Sequence, residues 1–115
     1  MVECRMAELS DQLEYASENF EGGDFRNGRL SRREFLACRF DACDFSEADI
    51  SFSRFEDCSF SGCNLSNASI AGSRFVHAEF VQCKLVGLDF VKCDQLLFDP
   101  SFVSCRLMNC NFSVL

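Results

Sequence analysis

The sequence has no tryptophan and only one tyrosine, one proline and one histidine in 115 residues. A lone histidine gives no basis for His-based acid–base catalysis or a His-rich metal site. Basic residues are scarce: 11 Lys and Arg stand against 18 Asp and Glu, a formal net charge of −7. Neither nucleic acid phosphates nor an anionic membrane is therefore an expected partner. Apolar runs are short, and none approaches the ~20 residues of a membrane span. The opening Met1-Val2-Glu3-Cys4-Arg5-Met6-Ala7-Glu8 lacks the apolar stretch of a secretory signal, so a cytoplasmic location is expected. No phosphate-cradling glycine loop and no converging nucleophile–base set is present. The chain reads as a non-enzyme without cofactor or metal.

Two residue types are abundant instead, with 14 Phe and 9 Cys. Cysteines without a signal peptide argue for reduced thiols, and an odd number fits a disulfide framework badly. A repeat accounts for both types. Every fifth residue from Phe20 to Phe90 is large and apolar: Phe20, Phe25, Leu30, Phe35, Phe40, Phe45, Ile50, Phe55, Phe60, Leu65, Ile70, Phe75, Phe80, Leu85 and Phe90. Two residues before each of these centres the chain is mostly small, as at Cys38, Cys43, Ala48, Ser53, Cys58 and Cys63. The positions between are mostly polar. A period of five is neither the 3.6 of a helix nor the 2.0 of a strand. It suits short extended segments separated by turns, one large and one small side chain pointing in, with successive units stacked to bury them.

Segments such as Cys43-Asp-Phe-Ser-Glu, Ala48-Asp-Ile-Ser-Phe, Cys63-Asn-Leu-Ser-Asn and Ala68-Ser-Ile-Ala-Gly resemble the pentapeptide repeat. That resemblance implies an all-β, right-handed quadrilateral β-helix with twenty residues per coil, here about five coils over residues 18–115. Residues 1–17 are expected to form an N-terminal arm or cap, with a short helix near Met6–Tyr15 as one form of it. After Phe90 the centres continue at Leu97, Phe102, Leu107 and Phe112, so two residues are inserted and the register breaks near 93–97.

All cysteines but Cys4 fall in the small inward slot. The spacing of Cys38, Cys43, Cys58 and Cys63 imitates a four-thiolate zinc set, but five-residue periodicity produces it without a metal. Cysteine as a small buried apolar residue is the expectation, and free thiols follow. His77 is expected at an outward turn.

Two surface features suggest partners. Asp24, Asp41, Asp44, Glu47, Asp49, Glu56, Asp57 and Asp89 form an acidic surface centred on the second coil. Val76, Val81, Val86 and Val91 follow successive centres and are expected as an outward apolar belt, a candidate interface. Phe35-Leu-Ala-Cys-Arg-Phe-Asp-Ala-Cys-Asp-Phe and Ser53-Arg-Phe-Glu-Asp-Cys-Ser-Phe resemble the N-terminal part of Qnr-type quinolone-resistance proteins. This resemblance implies a dimeric DNA mimic that binds a type II topoisomerase, DNA gyrase or topoisomerase IV, and protects it from quinolones. A scaffold module with an unrelated protein partner is the alternative. Phe112 lies three residues from Leu115 with no capping segment after it, so the expectation is either a homodimer through the C-terminal coil or a fragment of a longer repeat protein.

Overall fold

A computed structural model describes residues 13–112; Cys4 and most of the segment expected to form a helix lie outside them. The described chain winds into an all-β solenoid of parallel strands with four faces and about five coils. The molecule measures 42 × 24 × 22 Å.

The first face stacks β1 (Glu14–Ala16), β3 (Glu34–Leu36), β5 (Arg54–Glu56) and β7 (Arg74–Val76). The second stacks β2 (Asn19–Glu21), β4 (Arg39–Asp41), β6 (Ser59–Ser61), β8 (Ala78–Val81) and β10 (Pro100–Val103). On the third, β9 (Lys84–Val86) pairs with β11 (Arg106–Met108), and single bridges link Asp24, Asp44, Asn64 and Lys84 below them. The fourth face is held by bridges alone, Arg29 to Asp49 to Ser69 and Asp89 to Asn111. Residue n lies over residue n−20, as Phe60 over Phe40 and Phe55 over Phe35. β1 belongs to this stack, since Tyr15 is buried and paired with Phe35. The solenoid thus begins inside the segment expected to be an arm.

Three-residue strands leave little room for side-chain alternation, so the corner sets the period. From Ser17 to Gly87, every residue two after a centre has a positive φ, between 52° and 71°. A left-handed residue turns the chain through the corner and costs an L-residue about 1–2 kcal/mol unless it is Gly or Asn. Gly22 and Gly62 fill the position without strain, each with open space where a Cβ would be.

The interior is built from ladders of like side chains. On the second face, successive rings from Phe20 to Phe102 stack at 4.7–5.3 Å with planes within 16° of parallel. On the first face, Tyr15, Phe35, Phe55 and Phe75 stack at 5.0–5.4 Å. Neighbouring ladders meet edge to face, as Phe35 with Phe40 at 5.4 Å and 71°. Offset stacks and T-contacts each add about 0.5–1.5 kcal/mol beyond burial.

The small slot does more than make room. Its side chain donates to the main-chain carbonyl of a centre in the coil below. Cys43 Sγ reaches Phe20 O at 3.4 Å, Cys58 Sγ reaches Phe35 O at 3.3 Å and Cys63 Sγ reaches Phe40 O at 3.2 Å. Ser53 and Ser73 make the same bond to Leu30 O and Ile50 O. Where a turn already serves the carbonyl, the slot needs no donor. Phe25 O, Phe45 O and Leu65 O accept from Gly28 N, Ala48 N and Ala68 N, and the slots above them hold Ala48, Ala68 and Leu88. Pro100 follows the same logic, because Asp99 N donates to Phe75 O at 2.8 Å. Ala78 departs from this rule, and so does Cys93, whose thiol joins the Ser73 amide on Ile70 O. All eight described cysteines are free thiols. Cys63→Ser should therefore leave stability within about 1 kcal/mol of wild type, whereas Cys63→Ala loses the bond to Phe40 O together with thiol packing and costs about 1–2 kcal/mol. Urea midpoints of the two variants measure the difference; equal midpoints would remove the donor role.

Burial pushes the Cys93 thiol up to about 12, with the Asp89 and Asp94 carboxylates adding to it. Its ordinary value is 9.0, so folding favours the neutral thiol. The stabilisation is full below pH 9 and is lost as pH rises through about 12. Thermal midpoints from pH 8 to about 12 should fall more steeply in wild type than in Cys93→Ala; parallel curves would contradict this.

The register breaks where a 3₁₀ turn, Phe90–Lys92, replaces the regular corner. Beyond it Phe102 pairs with Phe80 and Leu107 with Leu85. The thiol bonds lengthen in sequence by the same two residues, with Cys105 Sγ on Phe80 O and Cys110 Sγ on Leu85 O. Leu97 is not the next centre. It is 68% exposed with φ 58°, at the corner position, and Phe98 packs on the core in its place. Phe102 is only partly buried. Leu107 and Phe112 keep the register but are 40% and 39% exposed, because no described coil covers their outer side.

Candidate protein-binding surface

The acidic residues singled out from sequence do not form one face. Asp41, Asp44, Glu47, Asp49, Glu56 and Asp57 follow one another around the second coil, on all four faces. Asp24 lies directly under Asp44, and Asp89 shares the fourth face with Asp49, with Ser69 between them. The arrangement is a belt around the rod, not a strip along it.

Local hydrogen bonds decide how much of this charge faces outward. Asp24 is gripped by both Arg26 Nε and Nη2 at 2.8 Å, and these bonds together with the Arg26 amide hold its carboxyl at about 2. Glu56 is paired with Arg54. Asp44 accepts from Ser46 N, Asp49 from Ser51 N and Oγ, and Asp89 from Val91 N; each leaves one carboxylate oxygen out of these bonds. Glu47 and Asp57 occupy left-handed corners and are exposed. The presented part of the belt is therefore Asp41, Asp44, Glu47, Asp49 and Asp57.

A twenty-residue stride reveals a charge order that the linear sequence hides. The residue before each centre on the first face runs Glu14, Glu34, Arg54, Arg74 in direct register. On the opposite, third face it runs Asp24, Asp44, Asn64, Lys84, Arg106. Both columns change from acidic to basic along the axis. Arg74 is held by Asp94 at 2.8 Å, and the exposed His77 contacts Asp99 at 2.8 Å.

The expected valine belt does not form as a whole. Val76 is buried at 7% exposure, because the inserted segment runs beside it, with Asp99 bonded to Phe75 O and Ala78 N. Val81 and Val86 are half-buried, and only Val91 is well exposed. The exposed apolar residues gather later than expected, at Val91, Leu96, Leu97, Val103, Leu107 and Met108. Among the described residues no group of three or more His, Cys, Asp or Glu side chains is placed to hold a metal ion, and no helix is long and apolar enough to cross a membrane.

No curated protein matches the chain. Solved structures do. Full-length QnrB1, a plasmid-mediated fluoroquinolone resistance protein, superimposes with a TM-score of 0.52 at 22% identity, over 97% of this chain and 60% of QnrB1. Two trypsin-treated variants of QnrB1 give TM-scores of 0.69 and 0.55 at 16% and 17% identity. They are matched over 95% and 96% of this chain and 67% and 70% of theirs. At such identities the likeness is one of fold. The pentapeptide-repeat profile, in eight copies, matches residues 34–62 and 58–94. With the five-residue corners, the stacked centres and this match over more than half of its length, the chain belongs to the pentapeptide repeat family.

Proposed function

We propose that the chain is a non-enzymatic binding solenoid that presents the acidic second coil to a basic protein surface, and that this surface is the DNA-binding saddle of a type II topoisomerase. The observation that carries the reading is charge density. Duplex DNA bears one negative charge per ~1.7 Å, or ~3 over the ~4.8 Å rise of one coil. The second coil sets Asp41, Asp44, Glu47, Asp49, Glu56 and Asp57 against Arg39 and Arg54, which still exceeds that density locally. The resemblance of the Phe35–Phe45 and Ser53–Phe60 segments to Qnr-type quinolone-resistance proteins points to the same partner.

The test is supercoiling by purified gyrase and by topoisomerase IV, with and without a quinolone, at micromolar protein. Wild type should compete with DNA and relieve quinolone inhibition. Combined Asp44→Asn, Glu47→Gln and Asp49→Asn should weaken this about tenfold, and added salt should weaken wild type likewise. No effect of wild type on either enzyme would sink the topoisomerase reading. The exposed Val91, Val103 and Met108 favour a second reading, a scaffold module whose protein partner covers the fourth and fifth coils. Loss of binding in Met108→Asp with the acidic variant unaffected would select it.

A further inference from the structure

A chain of net charge −7 carries, among its described residues, a groove built on three arginines. It lies at the corner between the fourth and first faces, encloses about 450 Å³ and is lined chiefly by Arg32, Glu34, Phe52, Arg54, Arg74 and Asp94. Four successive coils contribute to it, at twenty-residue intervals. Arg32, Arg54 and Arg74 line it with Glu34 and Asp94, and Glu56 pairs with Arg54 beside it.

The groove is constructed around an exposed aromatic ring. Phe52 stands at a left-handed corner, φ 56°, and is 56% exposed. The coil above makes room for it with Gly72, where a Cβ would lie 2.4 Å from the ring. The coil below places the Arg32 guanidinium 4.9 Å from the ring centroid, within cation–π range. Beside this stack Arg54 and Arg74 sit directly opposite one another on adjacent strands, a like-charge pairing that destabilises a sheet. Glu56 and Asp94 each hold one of them. Among the described residues the buried Arg54 Nε has no hydrogen-bond acceptor, so that guanidinium is under-satisfied.

We propose that this groove receives an acidic side chain of a protein partner, its carboxylate between Arg54 and Arg74 and its flanking apolar atoms on the edge of Phe52. Arginine and an exposed aromatic ring are the composition of interface anchors. A planar carboxylate matches the guanidinium fork. The site is separate from the acidic coil's proposed role and does not depend on it.

The test is ¹H–¹⁵N and aromatic ¹H–¹³C NMR of the full chain, following the arginine Nε–H and Phe52 ring signals respectively. The probes are acetyl-Leu-Glu-Leu-amide, the same peptide with Gln, and inorganic phosphate. The Glu peptide should move the Arg54, Arg74 and Phe52 signals, and the other two probes should move them far less. Arg74→Gln should weaken binding about tenfold. Arg32→Gln, which leaves both ion pairs in place, should weaken it too, and Lys84→Gln on the opposite face should not. Equal movement with the Gln peptide, tighter binding of phosphate, or no movement at millimolar Glu peptide would each overturn the proposal.

Discussion

Phe60→Ala should destabilise the protein by about 3–5 kcal/mol, the largest loss expected of any single substitution. Phe60 is fully buried. Its ring is stacked between Phe40 at 4.8 Å and Phe80 at 4.7 Å and meets Phe45 and Phe55 edge-on. Truncation removes four ring contacts and leaves a cavity that the ladders above and below cannot close without leaving their hydrogen-bond register. A single domain is stable by only about 5–15 kcal/mol in total, so the variant should be largely unfolded at modest urea. Phe112→Ala provides the internal comparison. That ring stacks on Phe90 at 4.8 Å but is 39% exposed, and its loss should cost about 1 kcal/mol. Similar urea midpoints for the two variants would refute the ladder as the main source of stability.

The second large effect concerns register. One glycine inserted after Asn67 should unfold the upper coils, while one glycine inserted after Leu96 should be tolerated. In the first case the inward positions pass from Ile70, Phe75 and Phe80 to Ser69, Arg74 and Glu79. Burying the last two as unpaired charges costs far more than a coil can return. In the second case the chain lengthens an exposed segment, where Leu96 and Leu97 are 62% and 68% exposed and loop extension is cheap. Urea unfolding separates the outcomes. The first insertion should lower both the midpoint and the slope, since less surface remains to be exposed; the second should leave the slope unchanged. A tolerated insertion after Asn67 would mean that the corners, and not the ladders, hold the coils together.

Both effects rest on a feature readable in the sequence, because a period of five is carried by side-chain size alone. The centres from Phe20 to Phe90 needed no three-dimensional information. Neither did the two-residue offset that pairs Phe102 with Phe80. Other features depend on what lies one coil away. Leu97 and Phe98 are both large and apolar, and only the 3₁₀ turn at Phe90–Lys92 decides which one turns inward. Val76 resembles Val91 in sequence position, yet the inserted segment shields one and leaves the other bare. The distinction between Cys43 and Ala48 in the same kind of slot depends on whether a turn amide already reaches the carbonyl beneath. Twenty residues separate the partners in each case. For the surface, the acidic composition was legible, but its arrangement as a belt was not. The basic groove was invisible, since Arg32, Phe52, Arg54 and Arg74 look unrelated until the chain is wound.

The equivalence of residue n with residue n−20 also makes the chain a set of exchangeable modules. Excising residues 41–60 would join Phe40 to a coil that begins at Ser61, and Phe80 would then settle on Phe40 as Phe60 does now. The faces, the corners and the carbonyl bonds would all be re-formed, with Cys63 taking the place of Cys43. For this architecture a twenty-residue deletion is a gentler lesion than a one-residue insertion. Evolution or engineering can therefore remove, duplicate or reorder whole turns, moving a belt of charge up or down the rod while the interior stays the same.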